Sequence, residues 1–261
     1  YLQQIMKTIL ITGSTSGIEL GIAKEFAKTK QYNIIFNGLE TNGNEIAENV
    51  GKEFGVAVHF NGANMLKPEE LRLMVTEGIN KFGKIDILIN NAGIQHVSPI
   101  EDFPDDKWNA IIGINLTSAF YLCKAVWPGM KERQFGRIIN IASAHGLVAS
   151  EFKSAYVTSK HGIVGLTKTL ALEGAPFNIT CNAICPGYVK TPLVEKQIAD
   201  QARAHHLTES EVVNKVMLMK QAVKQFVTVE SLGQMALLLA AESSNTITGT
   251  AIPIDGGWNA Q

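Results

Sequence analysis

Short apolar runs alternate with longer amphipathic stretches along this chain. The short runs fall at Thr8–Thr12, Asn33–Asn37, Val56–Phe60, Ile85–Asn90, Arg137–Ile141, Thr180–Cys185 and Ala251–Ile254, and several are apolar on consecutive residues. Consecutive apolar positions mark strands buried on both faces. Helical spacing recurs between them, over Ile18–Thr29, Asn44–Phe54, Glu69–Phe82, Asp106–Glu132, Ala155–Glu173 and Glu230–Ala241. Regular strand–helix alternation requires right-handed crossovers, so the pattern predicts an α/β fold: a doubly wound parallel sheet of about seven strands, the Rossmann architecture.

No linker, repeat or low-complexity tract divides the chain, and residues 1–261 read as one domain. One stretch breaks the rhythm. Residues 188–227 contain no strand but carry helical patterns near Leu193–His205 and Glu209–Lys224. Ligands of doubly wound sheets sit beyond the carboxyl ends of the strands. An insertion directly after the strand ending at Cys185 would hang over that crevice, and we read it as a helical substrate lid. A helical contact between subunits is the alternative.

Composition narrows the function classes. The 261 residues are 46% hydrophobic and 18% charged, an ordinary globular balance with a large core. A net charge of −1 gives no field to attract nucleic acid or an anionic membrane, and no basic-aromatic pattern suggests otherwise. No uninterrupted apolar run reaches the ~18 residues of a membrane span. Tyr1–Ile5 is neither basic nor followed by a cleavable signal pattern, Met6 is a candidate native start, and a cytoplasmic location is expected. Cys123, Cys181 and Cys185 form no disulfide framework. Cys181 and Cys185 lack a second ligand pair, so buried reduced thiols are expected and no metal site.

The candidate chemistry clusters at strand ends. The first strand runs into Gly13-Ser-Thr-Ser-Gly17-Ile-Glu19 and then a helix. Glycines there let the backbone turn sharply and approach a pyrophosphate, whose charge meets the helix N-terminus. A 2′-phosphate on the adenosine ribose would want Arg or Lys, and neither this loop nor Asn37-Gly38-Leu39-Glu40 supplies one. NAD is therefore expected, with either Asn37 or Glu40 on the ribose hydroxyl. Tyr156 and Lys160 are four apart, on one helix face. A unit charge ~4 Å from a phenol, at an effective dielectric of ~20, contributes about 4 kcal/mol. That would lower a phenol pKa of about 10 by roughly three units, making Tyr156 a usable base. Ser143 follows the strand Arg137–Ile141 at its carboxyl end, where its hydroxyl can bond a reacting oxygen. Asn115 lies inside a helical pattern, where a short polar side chain competes for backbone bonds; it could hold a water that links Lys160 to solvent.

Together these residues resemble the short-chain dehydrogenase/reductase family. The resemblance runs from Thr8 to Trp258 and rests on Gly13-x-x-x-Gly17, Asn90-Asn91-Ala92-Gly93, Asn115, Ser143, Tyr156-x-x-x-Lys160, Pro186-Gly187 and Asp255-Gly256-Gly257. It implies that Ser143 orients the substrate oxygen, Tyr156 is the acid/base, Lys160 binds the nicotinamide ribose, and Asn115 completes a proton relay. It also implies a nucleotide site formed by Gly13, Thr15, Ser16, Gly17, Ile18, Asn64, Asn91, Ala92, Gly93, Tyr156, Lys160, Pro186, Gly187, Val189 and Thr191, and a homotetramer. Asn91-Ala-Gly-Ile-Gln95-His96, Ile141-Ala-Ser143-Ala-His145-Gly-Leu-Val, Lys153-Ser-Ala-Tyr156 and Thr191-Pro-Leu-Val-Glu-Lys-Gln197 are similar to family members that act on a small 3-hydroxy acid. That similarity implies oxidation of (R)-3-hydroxybutyrate to acetoacetate, with Gln95, His145, Lys153 and Gln197 on the substrate carboxylate. The chemistry agrees, because a small carboxylate needs a charge and several donors to replace its water. Tyr188 and Trp258 would wall the pocket.

Three positions depart from the family pattern. Glu19 stands where a third glycine is usual, so NAD binding is weakened or the loop shifts; alternatively the side chain points to solvent and complements the helix dipole. Asn64 replaces an aspartate that bonds the adenine amino group, although an amide oxygen can still accept that bond. Tyr188 replaces a tryptophan, which predicts a smaller, wetter wall. Two other functions stay open: a dehydrogenase for another 3-hydroxy acid, a sugar or a steroid, and a catalytically weak nucleotide-sensing module supported by Glu19 alone.

Overall fold

The computed structural model describes residues 6–191, 194, 195, 198, 202, 203 and 207–260. Seven strands form one sheet in the order β3-β2-β1-β4-β5-β6-β7, and every neighbouring pair is parallel. They are β1 (Lys7–Ile11), β2 (Tyr32–Asn37), β3 (Val58–Asn61), β4 (Ile87–Asn90), β5 (Gly136–Ile141), β6 (Ile179–Pro186) and β7 (Ala251–Ile254). The helices between them are α1 (Gly17–Lys28), α2 (Gly43–Phe54), α3 (Pro68–Phe82), α4 (Asp105–Ile112), α5 (Ser118–Glu132), α6 (Ser154–Gly174), α7 (Glu209–Glu211) and α8 (Val229–Ala240).

The consecutive apolar residues of the strands have a simple cause. Ile9 and Ile11 of β1 pack with Ile22 and Phe26 of α1 and Leu232 of α8, whereas Leu10 between them packs with Leu71 and Met74 of α3 and Leu122 of α5. Side chains alternate across a strand, so covering both sheet faces requires every position to be apolar. Helices and strands begin within two residues of the predicted boundaries. β3 starts at Val58 rather than Val56 because the Val56 N–H bonds the Gly51 carbonyl at the end of α2. α2 closes on Gly55 at φ 70°, a left-handed conformation that glycine adopts without a Cβ penalty.

Strand order reverses direction between β1 and β4, so the loops after these two strands flank the crevice where such sheets bind ligands. The helix over Asp105–Glu132 is long and apolar enough to cross a membrane by length and composition. Its Ile111, Ala119, Leu122, Val126 and Met130 are instead buried in this fold, which accounts for its apolarity. It is not uniformly α-helical: Gly113–Thr117 forms a π turn around Asn115.

After β6 the chain forms an isolated parallel bridge between Val189 and Val227. Between them a small separate cluster gathers Ile198, Val212, Met217 and Leu218 with Tyr188 and Phe226. Helix α7 begins with a reciprocal cap, the Thr208 hydroxyl accepting from the Glu211 N–H at 3.2 Å and the Glu211 carboxylate from the Thr208 N–H at 3.1 Å, and continues as a π turn to Met217. The predicted continuation to Lys224 does not form. The buried Gln221 side chain accepts from the Tyr188 N–H at 3.2 Å and donates to the Gln225 carbonyl at 3.1 Å, while the Lys224 ammonium takes the carbonyls of Leu218, Met219 and Gln221. These side chains satisfy backbone groups that further helix would have paired. Much of Leu193–His205 lies outside the described residues; Val194, Glu195, Ile198, Ala202 and Arg203 within it are helical.

Replacing Gln221 by alanine strands the Tyr188 N–H at the base of this segment. Urea unfolding should show a loss of about 1–3 kcal/mol, the cost of an unpaired buried polar group. An unchanged midpoint would show that Gln221 is not the anchor.

Candidate functional site

The nucleotide loop is held from beneath by side chains that never face the crevice. The Thr12 hydroxyl accepts from the N–H groups of Asn91 and Ala92, at 3.0 and 3.1 Å, tying the β1 and β4 loops together. Gly13, at φ 71°, passes so close to Ala92 that a Cβ would lie 3.2 Å from its Cα. The buried Ser14 hydroxyl donates to the Ile11 carbonyl and accepts from the Asn37 N–H. At the start of α1, Ser16 occupies the cap position without a side-chain capping bond. The first N–H groups of that helix are therefore left for an anion, and the glycine loop fits a cofactor diphosphate.

Asn37 and Glu40 stand in different surroundings beside the loop. The Asn37 amide group is committed to the loop: it donates to the carbonyls of Asn61 and Ala63 at 3.1 and 3.0 Å, and its oxygen accepts from the Gly13 N–H at 3.2 Å, leaving one lone pair. Glu40 is the carboxylate beside the loop. The hydroxyls of Thr15 and Ser16 donate to it, and the Thr15 bond holds its pKa below the ordinary carboxylate value. Asn64 uses its side-chain oxygen to accept from the Leu66 N–H at 2.9 Å, an Asx turn ahead of α3 that leaves one lone pair.

The catalytic candidates converge on a cavity of about 980 Å³ at the carboxyl end of β5 and β6. Ser143, Tyr156 and Lys160 all line it. The Ser143 hydroxyl near the Tyr156 phenol lowers its pKa, but burial raises it more, and the net shift is upward. The strong lowering expected from Lys160 is absent. Its ammonium donates to the Ile141 carbonyl at 2.8 Å and lies 5.6 Å from the Tyr156 ring centre. Burial also pushes Lys160 down to about 8, so its own charge is weakened.

Asn115 is buried, not an exposed helix residue. Its amide pairs twice with the Ile94 peptide, accepting from the N–H and donating to the carbonyl, both at 2.9 Å, and also donates to Ser159 at 3.2 Å. The π turn makes this possible by aiming a mid-helix side chain into the β4 loop. One oxygen lone pair is the capacity that remains for a water.

His145 is bound on both ring nitrogens, to Ser143 at 3.5 Å and Ser150 at 2.8 Å, and its own N–H donates to Ser143 at 3.2 Å. Burial first, then the charges of Lys153 and Lys220, push its pKa down to about 4. Lys153, half-buried at the cap of α6, is itself shifted downward by burial and by Lys220. Tyr188 stacks on Trp258 with centroids 6.0 Å apart and planes 10° from parallel. The Lys220 ammonium lies over the same indole at 5.8 Å. Burial raises the Tyr188 pKa. Gln95 is exposed at the cavity edge, and Ile18, Asn91, Gly93, Pro186, Gly187, Val189 and Thr191 contribute the remaining predicted wall. Gln197 lies outside the described residues.

Glu19 also faces the cavity and not solvent. The Asn91 amide donates to its carboxylate, and burial raises its pKa to about 7. Among residues that sequence reading passed over, Ser14, Ser150, Ser159 and Gln221 hold functional groups in place; only Ser159, one residue before Lys160, carried a positional hint.

With this geometry in view, the family can be stated. The short chain dehydrogenase family model matches residues 7–202, and the chain belongs to that family. A dehydrogenase of this kind works with a nicotinamide cofactor. The D-beta-hydroxybutyrate dehydrogenase of Rhizobium meliloti (strain 1021) is 53% identical over 261 residues, covering 98% of this chain and 99% of that protein. The enzyme of the same name from Cupriavidus necator is 50% identical, with 98% of each chain covered. An actinorhodin polyketide ketoreductase variant, solved with NADPH, superposes over the whole of both chains with a TM-score of 0.91 at 28% identity.

His145 should stay neutral through physiological pH. An NMR titration of its ring should give a midpoint of about 4, and a midpoint near the ordinary ~6.5 would contradict its burial between the two serines.

Proposed function

We propose that this protein catalyses NAD-dependent oxidation of (R)-3-hydroxybutyrate to acetoacetate, and the reverse reduction. The observation that carries the proposal is the convergence of Ser143, Tyr156 and Lys160 on one cavity that also presents Lys153. The relatives named for D-beta-hydroxybutyrate support the substrate. Tyr156 removes the alcohol proton while Ser143 bonds the same oxygen, His145 holds Ser143 in place, and Lys153 with Gln95 and Gln197 receives the carboxylate. A nicotinamide cofactor held by the glycine loop and Lys160 would supply the hydride acceptor for the substrate carbinol carbon. Burial raises the Tyr156 pKa, so the phenol needs nearby positive charge, that of Lys160 on the same helix, to act as the base. Tyr188 and Trp258 exclude water from the reacting carbon, and residues 188–227 serve as the lid. Asn115 positions the Ile94 segment against α6 and has a lone pair for a relay water.

NAD rather than NADP is supported by Glu40, whose carboxylate beside Thr15 and Ser16 would repel a 2′-phosphate. A homotetramer in the cytoplasm completes the proposal: exposed Phe120 on α5 and Leu172 on α6 suit a subunit contact, and three buried thiols suit a reducing compartment.

Absorbance at 340 nm should rise with NAD and the R enantiomer, and far less with the S enantiomer or with NADP. Preference for a neutral alcohol would overturn the substrate. Tyr156→Phe should lower kcat by ~10²–10⁴, the span of general acid–base catalysis. Lys153→Ala should chiefly raise KM for the hydroxy acid, about 10- to 100-fold for a lost charge-assisted bond of ~1.5–3 kcal/mol. Equal KM values would remove Lys153 from the carboxylate site.

A further inference from the structure

Glu19 sits in the first turn of α1, where an uncapped helix N-terminus opens on the cavity. Three features show that its carboxyl group is folded into that opening. Its own backbone N–H bonds it. The Asn91 side-chain amide donates to Oε1 from across the crevice. Oε2 lies over Gly17, 3.2 Å from where a Cβ would be. Lys160 adds a favourable charge from α6. A carboxylate is thus already bound where the loop geometry prepares a seat for a dinucleotide's anionic linkage.

We propose that Glu19 is an internal anion that competes with the cofactor for the mouth of the crevice, so that nucleotide binding requires the carboxylate to be displaced or neutralised. This deepens the nucleotide-site reading and rests on it. Because burial raises Glu19 to about 7, its neutralisation costs little near neutrality and more above it. A bound diphosphate would raise that pKa further, so binding takes up a proton. The sign follows: affinity is full below pH 7 and falls as pH rises through 7. If only the neutral form admits nucleotide, affinity falls about tenfold between pH 6 and pH 8, the limit for one proton with this midpoint.

Other groups facing this corner do not mimic the effect. Glu40 is held below the ordinary carboxylate range and stays ionised from pH 6 to 8. Tyr156 is raised above 10, and His145 lies at about 4, so both stay neutral. Lys160, at about 8, is held up in part by the Glu19 charge, so in both variants it loses its proton at a lower pH, and the residual pH dependence of the variants belongs to it.

The test is direct binding of NADH, followed by its fluorescence and by calorimetry, for the parent, Glu19→Gln and Glu19→Gly between pH 6 and 8. Nucleotide alone is used, so a different alcohol substrate would leave the result unchanged. The expected result is a parent dissociation constant rising about tenfold, with net proton uptake at pH 7, against a much flatter profile in both variants. At pH 8 Glu19→Gly should bind about tenfold tighter than the parent. A parent profile as flat as the variants, or no gain in affinity with glycine at pH 8, would overturn the proposal.

Discussion

A buried ammonium constrains this site. Lys160 is almost entirely enclosed, and a charge withdrawn from water must be repaid by local partners or be given up. Here one carbonyl, that of Ile141, accepts from it directly, and the proton is correspondingly loosened. Ile141 is the last residue of β5, so the strand that fixes the ammonium also delivers Ser143 two residues later. The position of the acid/base pair is thereby a consequence of the sheet register, and β5 is a central strand with both neighbours parallel to it.

The surroundings follow from the same enclosure. Desolvation pulls Lys160 and His145 toward neutrality and raises Glu19 and Tyr156. Each shift favours the neutral form. An apo cavity of this kind has little charge to spare, and the two groups whose protons are most easily exchanged, Glu19 and Lys160, stand opposite each other across the nucleotide crevice. Their mutual attraction is what a positively charged ring and an anionic linkage would divide between them on binding.

Much of this arrangement was legible from residue pattern alone. Strand and helix periods gave the sheet, because burial on both faces leaves an unambiguous run such as Ile9-Leu10-Ile11. The glycines at 13 and 17 and the spacing of Tyr156 and Lys160 placed both halves of the site. What escaped depends on side-chain direction. Nothing in the helical pattern over Asp106–Glu132 marked the π turn that buries Asn115. Nothing in the segment Glu209–Lys224 showed that Gln221 and Lys224 would serve backbone groups and end the helix. The surroundings of Asn37, whose amide is tied to the carbonyls of Asn61 and Ala63, were not visible in the sequence either.

Glu19 separates the two kinds of information most clearly. Composition and position identify it as an acid in the first turn of a helix, a placement that favours the macrodipole whichever way the side chain turns. Pointing outward, it would be a solvated residue with no bearing on chemistry. The Asn91 amide decides the matter, because a buried donor at the end of β4 gains a partner only if the carboxyl group turns inward. Asn91 is itself fixed by the Thr12 hydroxyl that joins the β1 and β4 loops. The strand pair at the point of reversal therefore sets both the crevice and the anion that faces into it, and the affinity of the crevice for a second anion is written into the same few hydrogen bonds.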